Sequence, residues 1–389
     1  MTSASRINDI KPFHVMALLA RAKELEAEGK DIIHMEIGEP DFPTPEPIVA
    51  AAIAAISSGD VHYTPAVGLT ELREAIATFY KTRYDVTLPA SRIVITPGAS
   101  GALMLALGVV MKEGDEVLLA DPGYPCNRNF VRFLSGTTRS IPVDATTKFQ
   151  LTLQHLKENW QTNTSAVIVA SPSNPTGTLL AKDELVAMAS FVKEKGAYLI
   201  VDEIYHGLVY SGEYNTAINI DKHSANDEHI IVINSFSKYF NMTGWRLGWI
   251  VAPEKLIDNM DKLAQNIFLA APTPAQYAAL AAFKKETIAI LEKYKEEFKK
   301  RRDYLLFELK KLGFEIDVEP QGAFYIYANC EKFTQDSYQF SYELLENIGV
   351  AITPGKDFGE NKENAYVRFA YTTSIEHLKE GVRRLNDYL

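Results

Sequence analysis

Six short apolar runs mark the middle of the chain: residues 92–96 (RIVIT), 116–120 (EVLLA), 166–170 (AVIVA), 198–203 (YLIVDE), 230–235 (IIVINS) and 248–252 (GWIVA). They are rich in Val and Ile and lack polar alternation, so they read as strands buried on both faces. Between them lie stretches of helical character, such as 100–110, 182–195 and 253–264. Strand–helix alternation predicts an α/β fold, with a largely parallel sheet between layers of helices.

The last hundred residues change character. A long helical stretch at 276–312 ends at Gly313, a residue that commonly stops helices. Then come 322–328 (GAFYIYA), a helix around 337–348, 366–371 (YVRFAY) and a final helix from Ser374. This predicts a smaller α+β domain at 286–389. A large domain spans 46–285, and residues 1–45 form an arm that also contributes to the small domain. Pro40, Pro43, Pro45 and Pro47 read as the linker between the two parts. No repeat or low-complexity tract interrupts the pattern.

Composition narrows the field. The chain has 389 residues, 47% hydrophobic and 23% charged, which excludes a disordered chain, a collagen-like chain and a small disulfide-stapled scaffold. A net charge of -10 argues against a nucleic-acid binder, which needs a basic face to displace counterions. One stretch, 284–311, holds ten Lys/Arg, but six acids interleave with them, so it reads as a solvated helix face. Cys126 and Cys330 give neither a disulfide framework nor metal-ligand spacing, and no HExxH-type motif occurs, so no metal is expected. The first residues lack the apolar core of a secretory signal, and no run approaches the roughly 18 apolar residues of a membrane span. The expectation is a cytoplasmic protein with no membrane partner.

In open α/β sheets, ligands bind beyond the carboxyl ends of the strands. Five of the six runs are followed by chemistry-bearing residues: Thr96-Pro97-Gly98-Ala99-Ser100-Gly101, Asp121-Pro122-Gly123-Tyr124-Pro125, Ser171-Pro172-Ser173-Asn174-Pro175-Thr176-Gly177, Asp202-Glu203-Ile204-Tyr205, and Ser235-Phe236-Ser237-Lys238 with Gly244-Trp245-Arg246 soon after. Gly98 to Gly101 is either a plain helix start or a phosphate cradle of backbone N–H groups and the Ser100 hydroxyl. It is neither a P-loop nor a GxGxxG fingerprint. Ser235, Ser237 and Arg246 could meet the same anion. Asp202 is either a structural salt bridge or cap, or the partner of a buried cation. Lys238 is either an ordinary surface lysine, or a desolvated amine of depressed pKa able to form a Schiff base.

Taken together these segments carry a resemblance. The stretch 235–249, S-F-S-K-Y-F-N-M-T-G-W-R-L-G-W, resembles the pyridoxal-phosphate attachment signature of the class I/II aminotransferases, fold type I. Further segments match in order: Gly38-Glu39-Pro40-Asp41-Phe42, Tyr63-Thr64-Pro65 with Gly68, Pro97 to Gly101, Pro122 to Pro125, Ser171 to Gly177, Asp202 to Tyr205, and Val367-Arg368-Phe369. The resemblance implies a large domain with a mostly parallel seven-stranded sheet and a smaller α+β domain. It implies that Lys238 holds pyridoxal 5'-phosphate as a Schiff base and moves the substrate proton. Asp202 would pair with the pyridine nitrogen. Asn174 and Tyr205 would hold the phenolic oxygen, and Tyr124 would stack on the ring. Ala99, Ser100, Ser235, Ser237 and Arg246 would hold the phosphate. Tyr63 would reach the phosphate of a neighbouring subunit, making a homodimer with shared sites. Arg368 would grip the substrate carboxylate in its planar fork, helped by Gly38 and Asn174. Alone, Arg368 would read as a strand-end salt bridge.

The implied reaction moves an amino group from an L-amino acid to a 2-oxo acid, with 2-oxoglutarate expected as acceptor, by ping-pong chemistry. The alternative is another fold-type-I enzyme, such as a C–S lyase or decarboxylase; a non-catalytic regulator is disfavoured because every matched chemical position is filled. Aspartate-preferring relatives can carry a Lys near the position of Ser100, so a strict aspartate preference is not expected. Phe13, Val15 and Phe268 are candidates for an apolar side-chain pocket, and His14 for an approach to substrate. Trp245 and Trp249 read as packing residues, and His62 and His206 have no needed role.

Overall fold

The computed structural model describes residues 5–10, 12–212, 216–219 and 228–389. The chain begins with helix α1 (His14–Ala27), strand β1 (Ile33–Met35), α2 (Glu46–Ser58) and α3 (Thr70–Tyr84). An alternating series follows: β2 (Ile93–Thr96), α4 (Gly98–Val110), β3 (Glu116–Asp121), α5 (Pro125–Phe133), β4 (Thr137–Pro142), α6 (Leu153–Asn159), β5 (Thr164–Ala170), α7 (Lys182–Glu194), β6 (Tyr198–Asp202), β7 (Ile230–Ser235) and β8 (Gly248–Val251). Then come α8 (Glu254–Ile267), α9 (Thr273–Leu280), α10 (Lys285–Leu312), β9 (Tyr325–Asn329), α11 (Ser337–Ile348), β10 (Val350–Pro354), β11 (Tyr366–Ala370) and α12 (Ile375–Tyr388).

Seven strands form one sheet in the order β2-β8-β7-β6-β5-β3-β4. All pairings are parallel except those of β8, which runs antiparallel to both neighbours. The continuous apolar runs are explained by two separate cores. Leu199 and Val201 of β6 face one core with Leu185 and Met188 of α7, while Ile200 faces the other with Leu103 of α4 and Met260 of α8. Successive side chains of a strand point to opposite faces, so a strand covered on both sides must be apolar throughout. The fold class read from the patterning is therefore the one observed.

The edge strand β4 (TTRSIP) has no apolar run, because only Ile141 on it is buried. It went unread for that reason. The helical stretch 276–312 is broken: α9 ends at Leu280, and Lys284 is extended (φ -66°, ψ 147°) before α10 begins. The Thr287 hydroxyl donates to the Ala281 carbonyl at 2.7 Å, satisfying an acceptor at the break. Gly313 ends α10 in the left-handed region, as its sequence position suggests. Pro47 lies in the first turn of α2, where its missing N–H costs nothing.

A second sheet has the order β1-β10-β11-β9. Strand β1 pairs in parallel with β10, and the remaining pairings are antiparallel. The segment after β1 is thereby carried to the carboxyl edge of the larger sheet. Among the described residues no helix is long and apolar enough to cross a membrane.

Replacing Ile200, fully buried on β6, by Ala should lower unfolding stability by about 2–5 kcal/mol. Phe307→Ala, at a 65% exposed position, should change it by no more than about 0.5 kcal/mol. Urea unfolding followed by tryptophan fluorescence measures both.

Candidate active site

The carboxyl ends of the central strands open into one cavity of about 430 Å³. Strand β2 leads into it through Ala99 and Ser100, and β3 leads to Tyr124 just before α5. The loop after β5 brings Asn174, and β6 ends on Asp202 with Tyr205 three residues later. Strand β7 ends at Ser235, followed by Ser237 and Lys238; Arg246 follows before β8. The second sheet supplies Arg368 from β11 and Gly38 from the segment after β1. Tyr63 stands apart: it is 84% exposed on the outer surface and does not line this chain's cavity.

Lys238 carries the central charge. Its Nζ donates to the Gly38 carbonyl at 2.5 Å and lies 5.6 Å from the centre of the Phe324 ring. Burial lowers its pKa to about 8; Glu39 and Asp202 oppose the shift, while Arg368 and Arg246 add to it. Asp202 is 6% exposed, and burial raises its carboxyl to about 6 despite the Ile204 N–H donated at 3.0 Å and the nearby lysine. An amine and a carboxylic acid are thus each drawn toward neutrality by desolvation. Tyr205 shares a hydroxyl–hydroxyl bond of 2.7 Å with Tyr325, and burial holds its phenol well above the usual range.

A second group of residues converges at the start of α4. Gly98 has φ +68°, and a Cβ there would meet Arg246 Nη2 at 2.6 Å, so the guanidinium lies directly against the helix entry. The Ser235 hydroxyl donates to Ser237 Oγ at 3.0 Å and accepts from the Ser237 N–H at 3.0 Å. Arg246 Nη1 donates to the Thr243 carbonyl at 2.8 Å. A guanidinium, serine hydroxyls and first-turn N–H groups are the donor set of an anion site.

Arg368 is 4% exposed. Its Nη1 donates to Asn174 Oδ1 at 2.9 Å, and its Nη2 to the Glu36 carbonyl at 2.5 Å and to Thr353 Oγ1 at 3.1 Å. The guanidinium lies over the Tyr325 ring at 4.2 Å and the Phe358 ring at 5.0 Å. Its Nε is buried with no hydrogen-bond partner among the described residues. A buried cation with unspent donor capacity, next to a cavity, suits a carboxylate ligand.

Several residues of this cavity escaped the sequence reading: Glu36, Ile37, Leu103, Thr243 and Tyr325. Tyr325 was visible only as part of an apolar strand. Glu36 sits in a short mixed stretch without a motif of its own. Phe13 and Val15 do line the cavity, whereas Phe268, expected beside them, does not. Phe268 closes α8 and packs against the core under α4. His206 is buried away from the cavity, stacked on Tyr84 at 4.8 Å, and the His14 ring packs on Tyr338 at 5.3 Å. Trp249 is fully buried and Trp245 donates to Thr44 Oγ1 at 3.0 Å, so both pack.

Comparison with known proteins adds an independent line. The aminotransferase class I and II family pattern matches residues 30–385. The chain is 42% identical to a (5-formylfuran-3-yl)methyl phosphate transaminase of Methanocaldococcus jannaschii, over 99% of both chains. It is 38% identical to a valine–pyruvate aminotransferase of Mycobacterium tuberculosis, over 98% of this chain and 97% of the relative. A crystal structure of an aminotransferase from Mycobacterium tuberculosis superposes with a TM-score of 0.95 at 38% identity, covering 100% of this chain and 99% of that one.

The depressed pKa of Lys238 has a direct consequence. In cofactor-free protein an amine-directed reagent should modify Lys238 with a midpoint near pH 8, against about 10.4 for ordinary lysines. Asp202→Asn removes an anion that favours the ammonium, so the midpoint should move lower. Mass spectrometry of the labelled peptide across a pH series reads both effects.

Proposed function

The chain belongs to the class I and II aminotransferases, and we propose that it moves the amino group of an L-amino acid to a 2-oxo acid on pyridoxal 5'-phosphate held in this cavity. The observation that carries the reading is the pairing of a desolvated amine, Lys238, with an anion cradle at α4 and a carboxyl at the end of β6. The donor sets match the group end to end: Ala99, Ser100, Ser235, Ser237 and Arg246 for its phosphate, Asp202 for its ring nitrogen, Asn174 and Tyr205 for its phenolic oxygen. Tyr124 would flank the ring. When bound, the cofactor supplies an electron sink for the carbanion at substrate Cα.

The remaining roles belong to the protein. Lys238 would anchor the cofactor covalently, and its amine, once released, would take the proton from substrate Cα and deliver it to the cofactor's C4′ carbon. A pKa near 8 leaves an appreciable fraction of that amine unprotonated at neutral pH, as a nucleophile and base require. Asp202, whose carboxyl burial raises to about 6, would stay ionised at neutral pH beside a pyridinium and hold it charged. Arg368 would take the substrate carboxylate, exchanging part of its present hydrogen bonding, and the Gly38 N–H would assist. Two half-reactions sharing one site give ping-pong turnover.

The two relatives named above act, by name, on a furan phosphate and on valine with pyruvate, so family membership leaves the donor open. The apolar part of the lining includes Phe13, Val15, Met16, Ile37 and Leu103. That surface favours a donor with an apolar side chain, with 2-oxoglutarate proposed as acceptor. Ile53, Ile56, Val61, Tyr63 and Leu269 are 50% to 84% exposed on the outer face. A second copy of the chain is proposed to cover them, placing Tyr63 at the neighbour's phosphate site.

Lys238→Ala should lower transamination by at least about 10³-fold and abolish the borohydride-trappable link to the cofactor. Near-normal turnover in that variant would falsify the assignment. Arg368→Lys should raise the KM for amino acids by roughly 10–100-fold, because an ammonium cannot reproduce the planar fork. A donor panel read by pyridoxamine-phosphate formation should rank leucine and phenylalanine above aspartate; the reverse order sinks the apolar-pocket reading.

A further inference from the structure

Helix α1 starts at His14 without a cap of its own, because Phe13 at the N-cap position offers no side-chain acceptor. The first N–H groups of a helix have no partner within it. Two of them are answered from the far end of the chain. His14 N donates to Asp357 Oδ1 at 2.7 Å, and Val15 N donates to Asp357 Oδ2 at 2.8 Å. Asp357 is 3% exposed, and each of its oxygens serves one N–H, which sets its orientation. A carboxylate at a helix start also meets the positive end of the helix dipole.

Both ends of this contact lead to the cavity. On the arm side, Phe13, Val15 and Met16 form part of its apolar wall, and the Phe13 ring stands edge-on to Tyr124 at 6.5 Å. On the other side, Asp357 adjoins Phe358, the ring beneath Arg368. The same turn is fastened to the loop carrying Tyr124: Gly123 N and Arg128 Nη1 both donate to the Phe358 carbonyl, each at 2.9 Å. The later turns of α1 are held separately, by Leu18, Ala22 and Leu25 buried against Leu345 and Ala351, so the Asp357 contact fastens the first turn. A cavity of about 540 Å³ lies behind it, lined in part by Asp9, His14, Arg128 and Asp357. The ion pair of Arg132 with Asp9 is solvent-exposed, and such pairs contribute little.

We propose that Asp357 is a positioning residue that sets donor preference by latching the first turn of α1, and so the apolar wall, over the substrate end of the cavity. The idea rests on the aminotransferase reading for its substrate but on geometry for its latch. Donors with a large apolar side chain need the wall in place. Alanine, gripped by its carboxylate and carrying one methyl group, needs it little.

The test uses cofactor-loaded protein, four single variants and one double variant. Asp357→Ala removes both acceptors and Asp357→Asn keeps one. His14→Pro deletes one donor from the opposite side; proline is tolerated at the first helical position, and Phe13 before it is already extended (φ -86°, ψ 101°). His14→Ala keeps the N–H and removes the ring, as a control. Hydrogen exchange of the peptide spanning the first turn of α1 reads the latch without any turnover. It should accelerate roughly tenfold or more in Asp357→Ala, less in Asp357→Asn and His14→Pro, and not in His14→Ala. In half-reactions, Asp357→Ala should raise the KM for leucine roughly tenfold, with kcat and the KM for alanine within about twofold, since the bonds lost are charge-assisted but lie away from the reacting atoms. Combining Asp357→Ala with His14→Pro should add nothing further. Unchanged exchange in Asp357→Ala, or an equal rise in KM for both donors, overturns the proposal. Should the wild-type protein transaminate no donor at all, the proposed function falls, and the exchange rates still decide the latch.

Discussion

The amine of Lys238 sits half-buried in the cavity wall at the carboxyl edge of the parallel sheet, and a charge in that position is costly unless it is met. The rim is arranged around this constraint. The Gly38 carbonyl accepts from the amine at 2.5 Å, and Glu39 and Asp202 oppose part of the desolvation. Their opposition is incomplete, and the shortfall leaves the pKa of the amine lowered to about 8. Gly38 itself must lack a side chain. A Cβ there would stand 1.8 Å from the Tyr325 hydroxyl, so only glycine lets this backbone pass close to both Tyr325 and the amine.

Arg368 repeats the logic with the opposite outcome. A guanidinium cannot shed its charge, so it is enclosed by acceptors and two aromatic faces. Those partners come from β10, from the loop after β5, from the segment after β1 and from Phe358. The setting of Arg368 therefore depends on both sheets being docked as they are. The Asp357 contact extends the same dependence to the N-terminal arm. One turn of chain, 355–358, touches Arg368, the loop of Tyr124 and the start of α1, so these three are positioned by connected parts.

Much of the sheet could be read from the chain because β5, β6 and β7 are covered on both faces, and such strands must be apolar at every position. Lys238 and Asp202 each had an ordinary reading alone, and it was the ordered set of strand-end segments resembling one family that singled them out. β4 could not be read, since an edge strand with one buried side chain has no distinctive pattern. The break between α9 and α10 was missed because alanine-rich helical periodicity continues across it. Phe268 was placed in the cavity on apolar character alone, which says that a side chain will be buried but not against what.

The alternating architecture and the residues that end its strands were legible in the chain, because local pattern and residue type carry that information at short range. Strand order, the pairing of β1 with β10, the approach of Gly38 to Lys238 and the capping of α1 by Asp357 were decided only by the tertiary structure. Each joins segments far apart in the chain; the Asp357 contact spans 343 positions. No periodicity records such a meeting. It follows from which apolar faces pack together, and the polar contacts are satisfied where that packing brings them.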